Sequence, residues 1–189
     1  RRTVVDWIDC DPYLFASEIA LQMIIDDERA SSVDEILGDP ALAQDFDKIA
    51  SRFAPGHSPL AYRWAALKLR KQAKVARTRG EVLIPPSRLG KAMAIDDLDL
   101  SSVRTGPGVY VVSAGRSRRL YVGESLNLQE RLAGQFGSQQ HSLWSEVGEG
   151  ITLQTFVTQT QPADMLAWQS CLAKKYQTRL NFHELRAVT

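Results

Sequence analysis

The chain has 189 residues, of which 44% are hydrophobic and 24% charged, and its formal net charge is +1. These values are typical of one good-sized globular domain or of two small ones. The apolar runs stay well below the roughly 18 residues of a membrane-spanning helix, and the first residues turn acidic too early for a secretory signal peptide.

The two cysteines, Cys10 and Cys171, show neither metal-ligand spacing nor a disulfide framework. This pattern favours a reducing, cytoplasmic compartment. The chain does not begin with Met, so we expect it to be part of a longer protein.

Charge is distributed unevenly along the chain. Residues 1–50 carry 12 acidic and 4 basic side chains, residues 51–100 carry 4 acidic and 10 basic ones, and residues 101–189 carry 6 acidic and 9 basic ones. A polyanionic partner would therefore bind the last two-thirds of the chain, whereas the acidic beginning favours contact with a protein.

The first 80 residues have helical periodicity. The pattern predicts helices over residues 11–30, 32–37, 40–53 and 58–79. Asp11 is the predicted N-cap of the first helix, and Pro12 suits its first turn. In the fourth helix the spacing places one set of side chains on a single side: Leu60, Trp64, Leu67, Lys71 and Val75.

The fourth predicted helix carries seven basic side chains and no acidic one between residues 60 and 80. One interpretation is a solvated face that pairs with the acidic first helices. The other is a face that binds phosphate groups of a nucleic acid. On the second interpretation the substrate-binding candidates are Arg63, Lys68, Arg70, Lys71 and Lys74.

Glycine, proline and aspartate in residues 81–104 predict a connector between a helical domain, residues 1–80, and a second domain, residues 105–189. The second domain has strand-like runs, helical patterns and a glycine-containing turn. The predicted elements are strands at 109–112, 119–122 and 151–157, a helix at 127–136, and a last helix from 162 to 176 or 178. The predicted class is α+β: a helical N-terminal region followed by a three-stranded antiparallel sheet flanked by helices.

Three short motifs follow one another in the second domain: Gly108-Val109-Tyr110, Tyr121-Val122-Gly123, and Ser125-x-Asn127-Leu128-x-x-Arg131. A last helix is followed by Arg179-Leu180-Asn181. In this order and spacing, residues 105–182 resemble the GIY-YIG nuclease family. The resemblance implies a GIY-YIG-like sheet and hydrolysis of DNA phosphodiester bonds with one divalent metal ion, Mg²⁺ or Mn²⁺.

The resemblance also implies roles for individual residues. Tyr110 corresponds to the base or water-orienting tyrosine, and Tyr121 and Arg131 to the contacts with the scissile phosphate. Asn181 corresponds to a supporting polar residue, and Gly123 allows a close approach of the backbone. Two further residues of the third motif, Ser125 and Asn127, are assigned to substrate binding.

Two positions depart from the family pattern. The metal-binding glutamate of the family falls at Gln169, whose neutral amide should bind a cation much more weakly. Four residues after Arg131 the family often has His or Tyr, whereas this chain has Gln135; His141 lies near enough in sequence to replace it. Gln169 is either natural, in a fold that binds without cutting, or a Glu→Gln replacement that inactivates the enzyme. Because the other catalytic positions are intact, we favour the replacement.

Two functions remain open at this stage. The first is a metal-dependent DNA endonuclease whose N-terminal helices help to bind DNA or a partner, with RNA as a weaker alternative substrate. The second is a non-catalytic nucleic-acid-binding or protein-interaction module on the same fold. A single metal centre cuts one strand, so the first function predicts a homodimer or a contribution from the rest of a larger chain.

Overall fold

The computed structural model describes residues 10–86, 88–115, 117–137, 141–158 and 161–186, without the side chains of residues 141, 142 and 186. The helices in these residues are α1 (Asp11–Asp26), α2 (Val33–Gly38), α3 (Pro40–Phe53), α4 (Pro59–Gly80), α5 (Leu128–Phe136), α6 (His141–Val147), α7 (Pro162–Tyr176) and α8 (His183–Arg186). The strands are β1 (Met93–Ala94), β2 (Gly108–Ala114), β3 (Arg118–Ser125) and β4 (Ile151–Val157). Among the described helices, none is long and apolar enough to cross a membrane.

The predicted helices begin at side chains that accept hydrogen bonds from free backbone N–H groups. Ser32 caps α2, Asp39 caps α3 and Ser58 caps α4. The predicted cap of α1 is wrong, because Cys10 holds the N-cap position and Asp11 is already helical. The Asp11 carboxylate is instead directed toward β3 and α5, as described below.

The sheet has the strand order β1-β4-β2-β3, and all its pairs are antiparallel. The three predicted strands are present, and β4 lies beside the β2–β3 hairpin as expected. The prediction of three strands is nevertheless incomplete, because Met93 and Ala94 in the connector pair with the outer edge of β4. The α+β class is confirmed, with a four-stranded sheet.

The two faces of the sheet are covered differently. On one face, side chains of β2 and β3 pack against Met165 and Leu172 of α7. On the other, Tyr110 and Tyr121 belong to a large hydrophobic cluster that also contains buried residues of α1, α2, α3 and α4. The division into domains at 1–80, 81–104 and 105–189 stays a prediction, and this cluster includes residues on both sides of the connector.

Helix α4 is buried on an alanine-rich side and exposed on the opposite one. Its buried side contains Tyr62, Ala65, Ala66, Leu69, Ala73 and Ala76. The side that carries Leu60, Trp64 and Val75 faces solvent. The small side chains allow α4 to lie close to α7, and a Cβ atom added at Gly80 would lie 2.9 Å from the carbonyl oxygen of Ala167. This close packing fixes α7, and with it Gln169, relative to the N-terminal helices.

We expect Gly80→Ala to destabilise the protein by about 1–3 kcal/mol, because the added methyl group meets a backbone oxygen that cannot rotate away. Gly134→Ala is the matched control: it lies in α5 and has nothing within 4 Å of an added Cβ atom. That substitution should stabilise the protein by about 0.5–1 kcal/mol through helix propensity. Urea unfolding of both variants measures the difference, and equal effects would contradict close α4–α7 packing.

Candidate functional site

The two motif tyrosines lie on neighbouring strands and face the same side of the sheet. Tyr110 of β2 is paired with Gly123 of β3, and Tyr121 lies two residues before Gly123. The two ring centroids are 6.1 Å apart, and both side chains are buried. A Cβ atom at position 123 would lie 2.2 Å from the Tyr110 ring, so only glycine leaves room for this ring. Gly123 is thus required for packing of the Tyr110 ring, and the predicted approach of its backbone to a substrate stays a prediction.

The third motif forms the start of α5. The Ser125 hydroxyl accepts a hydrogen bond from the Asn127 N–H at 3.0 Å, and the Asn127 side chain caps α5 at the N–H of Glu130. This start sets the position of Arg131 one turn later. The Arg131 Nη1 atom lies 3.4 Å from the Tyr110 hydroxyl, to which it donates a hydrogen bond. The start of α5 thus brings Arg131 to Tyr110, and the predicted contact of Arg131 with a phosphate stays a prediction.

Asn181 joins the site from the segment after α7. Its side-chain amide donates to the carbonyl of Val122 at 2.7 Å and accepts from the N–H of Val122 at 2.8 Å. Since β3 is the last strand of the sheet, these two bonds satisfy backbone groups at an otherwise open edge. Asn181 therefore also has a structural role in covering β3.

A glutamate that the sequence did not single out lies at the centre of these residues. Glu18 of α1 is 1% exposed, and each of its carboxylate oxygens accepts two hydrogen bonds. Oε2 accepts from the Tyr121 hydroxyl at 2.7 Å and from Gln169 Nε2 at 2.8 Å. Oε1 accepts from Asn181 Nδ2 at 2.8 Å and from the Phe182 N–H at 3.0 Å.

The four hydrogen-bond donors favour the ionised form of the Glu18 carboxyl group. Burial raises the pKa of Glu18 above its usual range, and the four donated hydrogen bonds act in the opposite direction. A protonated carboxyl would lose at least one of these bonds, because its OH would then face a donor. The geometry therefore fits the carboxylate, which is held by these hydrogen bonds with no basic side chain of the described residues bonded to it.

The first turns of α1 cover Arg131. Its Nη2 atom donates to Asp11 Oδ1 at 2.8 Å and also to the Asp11 carbonyl, and its guanidinium lies 5.4 Å from the centre of the Phe15 ring. Asp11 Oδ2 accepts a hydrogen bond from Ser125 at 3.0 Å. A protein carboxylate thus binds the arginine that the resemblance assigns to a phosphate.

The tyrosines are not set up to act as bases near neutral pH. Burial raises the pKa of Tyr110 to about 12 and raises the pKa of Tyr121 well above its usual value. The Tyr110 hydroxyl donates to Oε1 of Gln135, an amide that cannot take the proton. The Tyr121 hydroxyl donates to Glu18. Both hydroxyls are therefore held as donors.

The basic residues of α4 do not converge on the residues around Glu18. Arg63 pairs with Asp47 of α3 at 2.6 Å, and Arg70 pairs with Asp34 of α2, which agrees with the interpretation that these helices neutralise one another. Lys68 lines a cavity with Asp11 and Glu124 beside the site, and Lys71 and Lys74 are exposed.

His141 begins α6, but its side chain lies outside the description. Its predicted role in place of Gln135 therefore stays a prediction.

A divalent cation does not fit the side chains at this site. The Gln169 amide nitrogen donates to Glu18, and the two Glu18 oxygens already accept four hydrogen bonds. A Mg²⁺ ion would need several oxygen ligands and would have to displace these donors. Within the described ranges there is also no group of three or more His, Cys, Asp or Glu residues that could hold a metal ion.

Sequence reasoning missed Glu18 and misjudged Asp11. One signal for Glu18 was present: it is the only charged residue in the otherwise uncharged segment 12–25. An isolated acidic residue in an apolar helix is buried only if donors from elsewhere in the fold meet it. The donors could not be identified in advance, because they come from three segments that lie more than 100 residues later.

Comparison with known proteins gives one distant similarity. The chain is 30% identical over 92 residues to UvrABC system protein C of Chlamydia muridarum, a match that covers 47% of this chain and 15% of that protein. No protein-family model matches the chain. No solved structure matches it either. The chain thus corresponds to a small part of that relative, and the match is consistent with a distant, nuclease-like relationship.

Proposed function

We propose that this chain is a non-hydrolysing binding module built on the GIY-YIG nuclease fold. The observation that carries the proposal is the Glu18 carboxylate, which occupies the centre of the residues that the family uses for catalysis. The five assigned catalytic positions, Tyr110, Tyr121, Arg131, Gln169 and Asn181, are between 0% and 4% exposed. A DNA phosphate cannot reach side chains that are covered to this extent.

The pairing of Gln169 with Glu18 supports a natural origin of the glutamine. A glutamate at position 169 would place a second carboxylate about where Gln169 Nε2 now lies, 2.8 Å from Glu18 Oε2. Two buried carboxylates at this distance repel each other unless they share a proton. Glutamine at 169 and glutamate at 18 are therefore a matched pair, and the explanation by a deliberate inactivating replacement is no longer needed.

The cost of opening the site also supports this proposal. Eleven of the 16 residues of α1 are buried. Five of them are large apolar side chains, each of which contributes about 1.5–3 kcal/mol when fully buried: Leu14, Phe15, Ile19, Leu21 and Ile24. The sum is similar to the whole stability of a typical domain, about 5–15 kcal/mol. Removing α1 from the site would therefore expose a large part of the apolar core and strongly destabilise the protein.

Movement of all four N-terminal helices together would be costly as well. Such a movement would separate α4 from α7, where Gly80 lies against the backbone of Ala167 and Arg79 pairs with Asp164. It would also leave the Glu18 donors without an acceptor in a buried site. Access to the site through domain opening is thus unfavourable for the same reason.

The second candidate function is a Mg²⁺- or Mn²⁺-dependent DNA endonuclease. It is favoured by the convergence of Tyr110, Tyr121, Arg131 and Asn181 and by the similarity to UvrABC system protein C. This function requires that α1 leaves the site and that the metal ion finds a charged ligand. The predicted homodimer belongs to this candidate, because a non-hydrolysing module has no second strand to cut.

We expect Gln169→Glu to destabilise the protein by about 2–4 kcal/mol at neutral pH, because it creates a buried pair of like charges. Adding Glu18→Gln should recover most of this loss, because the amide at position 18 can then donate to the carboxylate at position 169. The loss should be smaller at about pH 5 than at about pH 8, because the carboxylate pair raises its pKa in the folded state and stability then increases as pH falls. Urea unfolding of the single and double variants measures these differences.

Gln135→Glu is the matched control for this cycle. It introduces the same charge at a buried position, but its side chain faces the Tyr110 hydroxyl, which is itself bonded to Arg131. We expect a smaller loss of stability than for Gln169→Glu, and no recovery on adding Glu18→Gln. A Gln169→Glu protein as stable as the wild type would contradict the matched pair.

A cleavage assay separates the two candidate functions. We expect no nicking of supercoiled plasmid by the wild type, by Gln169→Glu or by the exchanged double variant, with either Mg²⁺ or Mn²⁺. The double variant keeps the fold while placing a carboxylate at position 169, so a negative result does not arise from unfolding. Nicking that disappears on Arg131→Ala would overturn the proposal and establish the endonuclease.

A further inference from the structure

The strongly exposed large hydrophobic side chains of this protein are concentrated in one segment. Among the residues that the structure describes, there are five, and all lie between residues 60 and 84: Leu60 (71% exposed), Trp64 (37%), Val75 (66%), Val82 (80%) and Ile84 (87%). Three of the five, Leu60, Trp64 and Val75, belong to α4, and exposed hydrophobic residues that share one face of an element favour an interaction surface over scattered exposure.

The members of this group in α4 lie on one face of the helix. Positions 60, 64, 67, 71, 74 and 78 follow one another at steps of four and three residues, which keeps them within one face. We call the exposed residues of this face, Leu60, Trp64, Lys71, Lys74 and Val75, the α4 ridge; Leu67 lies between them but is partly buried and packs against the hydrophobic core. The ridge lies opposite the buried alanine-rich side, and α4 is roughly 33 Å long at 1.5 Å per residue. The spacing is that of a helix which packs against another helix.

The ridge changes from apolar to basic along its length. Its N-terminal half carries Leu60 and Trp64, and its C-terminal half carries Lys71 and Lys74 beside Val75. Both lysines are exposed, and neither has an ion-pair partner within the described residues. The arginines at the sides of the helix differ, because Arg63 and Arg70 are neutralised by Asp47 and Asp34. Lys71 and Lys74 therefore keep their positive charge for a partner, as does Arg77 near the end of α4, which donates to the backbone carbonyl of Glu184.

We propose that the α4 ridge binds an amphipathic helix of an acidic partner protein. Apolar side chains of that helix would cover Leu60 and Val75, and its acidic side chains would face Lys71 and Lys74. The ridge lies on the side of α4 away from the residues around Glu18. This interaction is thus independent of whether the site hydrolyses DNA.

Two other occupants fit the ridge less well. A second copy packed ridge to ridge would bring Lys71 and Lys74 against the same lysines if parallel, and against the apolar end around Trp64 and Leu60 if antiparallel. Neither arrangement supplies carboxylates for the two lysines. A nucleic acid would pair with the lysines through phosphates, but it would leave the apolar surface at Leu60 and Val75 in water. Only a partner that is both apolar and acidic satisfies the whole ridge.

A designed peptide of about three heptads tests this surface. It carries leucine at the a and d positions and glutamate at the flanking positions, and its control carries lysine in place of each glutamate. We expect fluorescence anisotropy to show binding of the acidic peptide at least tenfold tighter than that of the basic one. The double variant Lys71→Glu/Lys74→Glu should weaken the acidic peptide by about tenfold or more, and Leu60→Ser should weaken it as well.

Lys174→Glu/Lys175→Glu on α7 is the matched control, since it reverses the same number of charges at exposed positions outside the ridge. It should leave peptide affinity within about twofold of the wild type. Equal affinity for both peptides, or equal loss in both double variants, would overturn the proposal. So would a dimer in sedimentation that Leu60→Ser dissociates, or binding of a DNA duplex through Lys71 and Lys74 without binding of the acidic peptide. Nicking of plasmid in the cleavage assay would contradict the proposal that the site is closed, but it would not affect the proposal for the α4 ridge.

Discussion

The arrangement of the whole molecule depends on one buried carboxylate and its four donors. Glu18 comes from α1, and its donors come from β3, α7 and the segment that follows α7. A buried charge is tolerated only when its hydrogen bonds are complete. Each of these segments must therefore be in place before Glu18 can be buried. The carboxylate thus makes the position of the N-terminal helices and the geometry of the sheet interdependent.

On the proposed function, the same interdependence accounts for the presence of the nuclease-like residues. If catalysis had been lost without any new role, several of these residues would be free to change. Instead, Tyr121 and Asn181 donate to Glu18, and Arg131 donates to Asp11. Residues that would contact a phosphate and a metal ion on the family pattern here contact two carboxylates of α1. Under the proposed function, a catalytic site of the family pattern would thus become a structural one with little change at the site itself, apart from Gln169.

Local patterns predicted the elements well, because caps, prolines and periodicity act over a few residues. Strand β4 spans residues 151–157 as predicted, and helices α3 and α5 begin and end close to the predicted residues. The site residues Tyr110, Tyr121, Arg131, Gln169 and Asn181 also come together. The burial of this cluster by α1 was not predictable, because it depends on contacts between Glu18 and residues more than 100 positions away. The sequence also did not show which side of α4 is exposed. The buried side consists mostly of alanines, which pack closely but are only weakly hydrophobic and so give a weak periodic pattern.

Native-state hydrogen exchange of α1 tests the closed site most directly. If Glu18 and the apolar side of α1 are held as described, the amides of α1 should exchange only through global unfolding, with the same opening free energy as the amides of β2. Low concentrations of denaturant should then affect both elements equally. An opening free energy for α1 several kcal/mol below that of β2 would show that the helix leaves the site while the sheet stays folded, and would contradict the account.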